Sequence, residues 1–422
     1  MSIMSKYVHI KIEINRMEST MTTARQNALI FSFTFMAFIL GTTEYIIVGL
    51  LSEISSSLGV TLATAGGLVS GFAIAYAIGT PIMMSLFSRI PKRITILVSL
   101  VLILLLNLWS AITGTYSMLL VTRIVTAVLC GFVLSVAITV ANEAVDSEKR
   151  GKAIATILSG FAVANVFGVP IGTFVGQYFN WPAAFVLNGV LAGIAIALNY
   201  AYIPRKLPKP VPSSLKDQIE LLTNGRIILA FLIPVTAVGA VFVMYTYITP
   251  LLEQVMNIPK SSVSGVLFVY GIATIVSNWI GGKVATGNAV SKLRFVFLIQ
   301  AVVYIVFSLT ASISILGMIV LMMLAVMSSI VSAPAQLYLI DLAKQYSPRS
   351  KDLAASLNPV ASNLGIAGGS AIGGVVAQHG GLISLPIAAS ILAISACVIA
   401  LICYKLDQQT QEGVIAQHHN LT

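Results

Sequence analysis

Residues 122–176 read TRIVTAVLCGFVLSVAITVANEAVDSEKRGKAIATILSGFAVANVFGVPIGTFVG. The stretch forms two apolar helices joined by a tight turn, Asp146 to Lys152, that is dense in both signs of charge. The first helix carries a lone Arg123 near its start, and the second breaks its own pattern with Gly160, Gly168, Pro170, Gly172 and Gly176. A second copy of the unit follows 198 residues later: Glu143 maps onto Asp341, Asn165 onto Asn363 and Gly176 onto Gly374. Gly365, Gly368, Gly369 and Gly373 lie in the copied broken helix. Two copies of one unit in a very apolar chain imply a membrane protein built from two similar halves.

Composition agrees. Of 422 residues, 57% are hydrophobic and 9% charged, whereas a soluble domain is about 25% charged. Such a chain cannot cover its apolar core with polar surface, so its solvent is lipid. Cys130, Cys397 and Cys403 lie in apolar runs with no metal-ligand or disulfide spacing and read as small buried residues.

Twelve apolar segments follow the N-terminal tail, at 27–51, 62–87, 94–113, 116–145, 150–177, 182–203, 226–252, 262–284, 293–312, 314–341, 352–378 and 382–404. Each is near the roughly 20 residues that cross about 30 Å of hydrocarbon. The expected fold is therefore an all-α polytopic membrane protein with two six-helix bundles. Its parts are a tail at 1–26, a first bundle at 27–204, a Pro- and charge-rich linker at 205–225, a second bundle at 226–404 and a tail at 405–422. Residues 1–26 show no n-region, h-region and cleavage site, and Met21 offers an alternative start. With the N-terminus inside, 22 of the 24 lysines and arginines fall on the inner side. Lys260 alone falls outside and Arg123 lies within a segment. This asymmetry predicts both termini in the cytoplasm. It also assigns the net charge of +10 to a membrane surface rather than to nucleic acid.

A charge at mid-bilayer costs about 2.5–3.5 kcal/mol on insertion scales and marks a functional candidate. Glu44, in FILGTTEYIIVGLL, is one: it is either a carboxyl that binds and releases a proton as its exposure alternates, or a structural carboxyl held between helices. Thr42, Thr43 and Tyr45 stand beside it as hydrogen-bonding neighbours, and Gly41 and Gly49 permit close packing. Arg123 is the other, and its guanidinium is always charged. It either modulates a carboxylate such as Glu44 or contacts substrate, or it snorkels to the outer interface. Glu143, Asp146 and Asp341 lie at inner helix ends near Lys149, Arg150, Arg349 and Lys351, and read as a gate or as solvated ends. Glu53 and Glu253 read as solvated outer ends. Tyr45, Tyr245, Tyr247, Asn278, Gln336, Tyr338 and Asn363 are the candidates for lining a cavity. The glycines of the fifth segment read either as packing alone or as a seam that opens and closes.

These motifs together resemble the major facilitator superfamily and, within it, the twelve-helix drug:proton antiporters. The resemblance covers about 27 to 404. GTTEYIIVGLLSEISSSLGV is similar to the first-helix signature of the branch holding sugar and purine exporters, and GFAVANVFGVPIGTFVGQYFNW to the fifth-helix antiporter motif. TRIVTAVLCG resembles the fourth-helix arginine motif, and SAPAQLYLIDLA and GSAIGGVVAQHG resemble second-half segments of the purine-exporter group. The loop after the second helix departs from the family pattern G-x-L-x-D-R-x-G-R-R/K. MSLFSRIPKR keeps Arg89, Lys92 and Arg93 but has Met84, Ser88 and Pro91 for the first glycine, the acid and the second glycine. In the other half Thr286 and Gly287 stand where Asp-Arg would be. The missing acid leaves the inner latch to other groups, with Glu143 or Asp146 against Arg89 as candidates.

The resemblance implies a monomeric cell-membrane transporter that exports a small neutral or cationic solute, such as a drug, a purine or a sugar, against proton entry. Glu44 would carry the proton, Arg123 would modulate it, and the 160–176 helix would form a gate seam. The alternatives are an uptake carrier or uniporter of the same fold, a non-transporting sensor, and a membrane enzyme. No paired catalytic carboxylates, metal motif, nucleophile elbow or Walker motif supports the last, so no enzyme activity, metal or cofactor is expected.

Overall fold

The computed structural model describes residues 22–205, 207, 223–346 and 351–419. Expectations for residues 1–21, for most of the 205–225 linker and for Arg349 as an ion-pair partner fall outside them. The described chain forms α1 (Thr23–Leu58), α2 (Leu62–Leu86), α3 (Lys92–Ala111), α4 (Tyr116–Ala144), α5 (Arg150–Tyr178) and α6 (Trp181–Tyr202), then α7 (Gly225–Gln254), α8 (Lys260–Val284), α9 (Ala289–Thr310), α10 (Ile315–Tyr346), α11 (Lys351–Gly380) and α12 (Leu385–His419). Twelve of these helices are long and apolar enough to cross a membrane, and no strand occurs among the described residues. One boundary differs clearly: the tail expected from 405 continues as helix to His419.

Local chemistry explains the turns. Thr61, Thr115, Asn180, Asn224 and Asn288 each accept from a backbone N–H of the helix they precede, satisfying donors that the first turn leaves orphaned. Gly59 ends α1 in the left-handed region, φ 63°, where only glycine enters without strain.

Three helices are interrupted, each about four residues before a proline. Pro170 follows the π turn Ala164–Gly168 in α5. Pro250 follows a break between Tyr245 and Ile248 in α7. Pro334 follows a break between Met327 and Ser332 in α10. A proline ring clashes with the carbonyl four residues earlier and offers that carbonyl no N–H. The same residue is absorbed without a break at Pro81 in α2 and Pro359 in α11, so neighbours decide as well. In α10 they are visible: Ser277 Oγ accepts the freed Ser329 N–H at 2.8 Å, and a Cβ on Gly281 would come within 2.8 Å of the Ile330 carbonyl oxygen.

Packing repeats between the two sets of six helices. α1 packs on α5 and α6 as α7 packs on α11 and α12, and α3 packs on α6 as α9 packs on α12. The glycine seam makes these approaches possible. Gly160 lies over the Thr34 carbonyl and Ala37, Gly168 over Thr42, Gly172 over Ile46 and Gly176 over Leu50. In the copy, Gly365 and Gly369 lie directly over the Gly239 backbone and Gly373 over Val243 and Tyr247.

The two halves meet through α2 with α11, α5 with α8, and the last turns of α7 with α1. The end of the bundle that carries Thr23 and His419 is the terminal end; the other is the distal end. At the distal end one apolar cluster joins both halves, from Ile46–Ile54 and Ala65–Ala73 to Ala240–Met256, Val263 and Tyr270. Toward the terminal end the apolar clusters are separate, one confined to the first half and two to the second. The halves thus share one apolar core at the distal end and have separate cores toward the terminal end. Ile78, Leu105, Val190, Ile275, Ile299, Ile319 and Ile391 face outward around it, a surface that lipid solvates at no cost.

Candidate functional site

Arg123 is 1% exposed and does not snorkel. Its Nη1 donates to the Thr43 carbonyl at 2.5 Å and its Nη2 to the Glu44 carbonyl at 3.0 Å. Its Cζ lies 4.1 Å from the centre of the Phe72 ring, so an aromatic face covers the cation's other side. The guanidinium therefore pins α4 to the main chain of α1 and forms no ion pair with the Glu44 carboxylate. Glu44 itself is 7% exposed. The titratable groups around it are Tyr45 on its own helix, Tyr76 on α2, and Arg123 and Cys130 on α4.

One residue on, Tyr45 opens into a cavity of about 240 Å³ between the halves. The first half contributes Tyr45 and Asn165. The second contributes Phe242 and Tyr245 from α7, Tyr270 and Thr274 from α8, Ser328, Ser329 and Ser332 at the break of α10, and Ser362 and Ile366 from α11. Tyr245 and Tyr270 stack with ring centres 5.1 Å apart, and the Tyr245 hydroxyl donates across the halves to Asn165 Oδ1 at 3.4 Å. The π turn carries Asn165, so the same local distortion that accommodates Pro170 delivers the amide to the cavity. Among the described residues no Asp, Glu, Lys, Arg or His lines it.

Of the seven residues expected to line a cavity, the structure brings Tyr45 and Tyr245 to this one. Tyr247 instead belongs to the distal seal: it is fully buried, its hydroxyl donates to the Ser370 carbonyl at 3.0 Å, and its ring end lies against Gly66 of α2. Asn278 is on an exposed face of α8 and donates to the Thr274 carbonyl. Gln336 accepts from Asn358 at 3.4 Å, and Asn363 donates to the Pro359 carbonyl at 3.1 Å. Tyr338 lines a different cavity at the terminal end, where its hydroxyl donates to Asp407 at 3.3 Å beside the Arg226–Asp407 ion pair. The serines of α10 were missed. Their signal was present as SSIVS ahead of Pro334, a polar run in an otherwise apolar helix.

The charged residues at the terminal end pair within their own half. Lys92 forms an ion pair with Glu143. Arg93 caps α6, donating to the Ile203 carbonyl at 2.5 Å and the Tyr200 carbonyl at 2.8 Å. Asp146 accepts from Lys149 at 3.1 Å and from Gln26 at 3.3 Å, and these bonds hold its carboxyl below the usual carboxylate range. Arg150 Nε donates to the Val145 carbonyl at 3.2 Å, and Asp341 pairs with Lys344 at 2.9 Å. In this conformation Glu143 pairs with Lys92, and Asp146 with Lys149 and Gln26, rather than with Arg89, which is exposed with no ion pair among the described residues. The glycines of α5 likewise face α1 inside one half. Across the halves α5 meets α8 at Asn165 and Val166, whose backbone Gly271 touches, at Phe167 against the Phe268 ring, and along Val169–Tyr178.

The Major Facilitator Superfamily model matches residues 33–347. The chain is 34% identical over 381 residues, 90% of this chain and 96% of the other, to the "Uncharacterized MFS-type transporter YtbD" of Bacillus subtilis (strain 168). It is 25% identical over 363 residues, 85% of this chain and 89% of the other, to a "Probable sugar efflux transporter" of Mannheimia succiniciproducens. Among solved structures it superposes on a bacterial homologue of the human lysosomal transporter Spinster, in an inward-facing and occupied conformation. The TM-score is 0.72 at 15% identity, with 91% of this chain and 98% of that one covered.

Proposed function

The chain belongs to the major facilitator superfamily, a family of secondary transporters, and from that premise we propose that it exports a small neutral or cationic solute in exchange for protons. The observation that carries the reading is Glu44: a carboxylate buried in a membrane-spanning helix, without an ion pair among the described residues, one residue from the cavity-lining Tyr45. Such a group is retained at a cost of several kcal/mol unless it has work to do. As α1 tilts with its half, the carboxyl meets water alternately from either side and can take up and release a proton. Arg123 holds the α1 backbone at Thr43 and Glu44 while leaving that carboxyl free to titrate.

The positive-inside asymmetry supports cytoplasmic termini; on that reading the terminal end is the inner one, and the separate apolar cores there support an inward-facing conformation. The solute would enter from the terminal end, where the halves share no apolar core, and rest on the Tyr245–Tyr270 stack among the hydroxyls of α10 and α11. The absence of charged lining residues favours an uncharged or weakly cationic solute over an anion. The relative described as a probable sugar efflux transporter supports the outward direction. Both halves of the cavity come from one chain, which suits a monomer. One proton entering against one neutral solute leaving moves net charge, so the membrane potential adds about 2.3 kcal/mol per 100 mV to the pH gradient.

Efflux from energised cells or inverted vesicles tests this, with a lipophilic drug, a purine nucleoside and a pentose as panel and an uncoupler as control. The expected result is uncoupler-sensitive export of a panel member that is lost in Glu44→Gln. Export undiminished in Glu44→Gln would reject Glu44 as the proton carrier. Export insensitive to the uncoupler would reject proton coupling.

A further inference from the structure

The distal seal contains two carboxylates that sequence reasoning assigned to solvent. Glu53 lies near the distal end of α1 and Glu253 near that of α7, equivalent places in the two halves. These helix ends pack on each other, and close by Thr249 Oγ1 donates across the halves to the Val48 carbonyl at 2.9 Å. Both oxygens of Glu53 and Oε1 of Glu253 are shut off from solvent without a hydrogen-bond donor in good geometry. The groups acting on Glu53 from the packed elements are Glu253 of α7, Lys260 at the start of α8 and the amide of Gln177 from α5. Lys260 is exposed and enters no ion pair with either carboxylate among the described residues. The seal therefore brings two partly buried acids of opposite halves to one seam, with most of their carboxylate oxygens covered and no ion pair to either among the described residues.

Two carboxylates sharing a site resist being ionised together, because each charge raises the energy of the other and burial removes the water that would screen them. A single proton changes the interaction from repulsion to attraction: a carboxyl O–H donates to the neighbouring carboxylate, a strong charge-assisted bond. We propose that Glu53 and Glu253 form a proton-operated latch on the distal gate. With one proton held between them the seal is closed; with both ionised it is driven apart. The proton is taken from and returned to water at the distal side, and no other bond is made or broken. If the distal end faces outward, as proposed above, protons arriving from the acidic exterior close the outer gate. That is the direction proton-driven exchange requires, since a proton-loaded carrier then turns inward.

The latch is separable from the role of Glu44. The full chain is reconstituted in lipid nanodiscs with spin labels at Ser57→Cys and Ser261→Cys. Both positions are exposed, one on each side of the seam, and the native cysteines are buried. Distances are measured by pulsed electron paramagnetic resonance at pH 5 and pH 8.5. In the unsubstituted background a short distance dominates at pH 5 and a longer population grows at least threefold at pH 8.5. E53Q and E253Q each hold the short distance at both pH values, since neither can reach the doubly ionised state. Reading both variants keeps the test intact if one fails to fold. H379N, at the exposed distal end of α11, retains the shift, as does E44Q. No shift with pH, or a shift that survives in E53Q or E253Q, overturns the latch. Loss of the shift in E44Q with retention in E53Q overturns it in favour of Glu44 as the sole proton switch.

Discussion

Arg123 holds Glu44 by its main chain, with Nη2 3.0 Å from the Glu44 carbonyl oxygen, and forms no ion pair with its carboxylate. A buried cation beside a buried acid would ordinarily be expected to bind it directly. Here the backbone carbonyls of Thr43 and Glu44 and the face of Phe72 satisfy the guanidinium instead. The acid keeps its freedom to change protonation while the helix carrying it stays fixed to α4.

Replacing Arg123 tests that division of labour. R123A removes two hydrogen bonds from a charged donor, each worth about 1.5–3 kcal/mol, and we expect it to lower stability by about 3 kcal/mol. R123K keeps the charge but not the planar two-pronged donor, and should recover less than half of the loss. Thermal unfolding of purified protein reads both. A variant as stable as the parent would show that the bonds to α1 carry no weight.

The glycine seam gives a graded prediction. A methyl group at Gly369 meets the Gly239 backbone, with the nearest carbons 2.9 Å away, and backbone cannot step aside. At Gly176 it meets the flexible end of Leu50. Overpacking costs about 1–3 kcal/mol, so G369A should fall at the top of that range or beyond it and G176A at the bottom. Equal costs would count against the close approach of α7 and α11.

The loop after α2 separates two basic residues that look alike in sequence. Lys92 is buried and paired with Glu143, whereas Arg89 is exposed. R89A should stay within about 0.5 kcal/mol of the parent. K92A leaves Glu143 without its partner and should cost about 1–3 kcal/mol, below the full price of a fully buried pair because Glu143 keeps some exposure. The double exchange K92E with E143K should return part of the loss in a thermal shift assay.

At the cavity, Tyr245 contributes a ring and a hydroxyl that can be separated. Y245F keeps the stack on Tyr270 and loses only the bond to Asn165, a neutral bond worth about 0.5–1.5 kcal/mol. Its effect on KM for the exported solute should be tenfold or less. Y245A loses the stack as well and should weaken transport further. If Y245F and Y245A behaved alike, the ring would not be a solute platform.

Membrane spanning, the number of helices and the twofold repeat were determined by sequence alone, because lipid imposes rules that act locally. Each span needs its own run of about 20 apolar residues, each short turn its own cap, and each close approach its own glycine, as at Gly168 and Gly172. Glu44 and Arg123 were conspicuous for the same reason: an ionisable group in an apolar run has no bland explanation in one dimension. The choice of partner was not legible. Thr43 carbonyl against Glu44 carboxylate, Lys92 against Arg89, and Tyr247 in the seal rather than the cavity are decided by which faces meet when twelve helices assemble. Glu53 and Glu253 show the limit most plainly. Each reads as a solvated helix end in its own half, and only the closure of one half on the other brings both to one seam and covers most of their carboxylate oxygens.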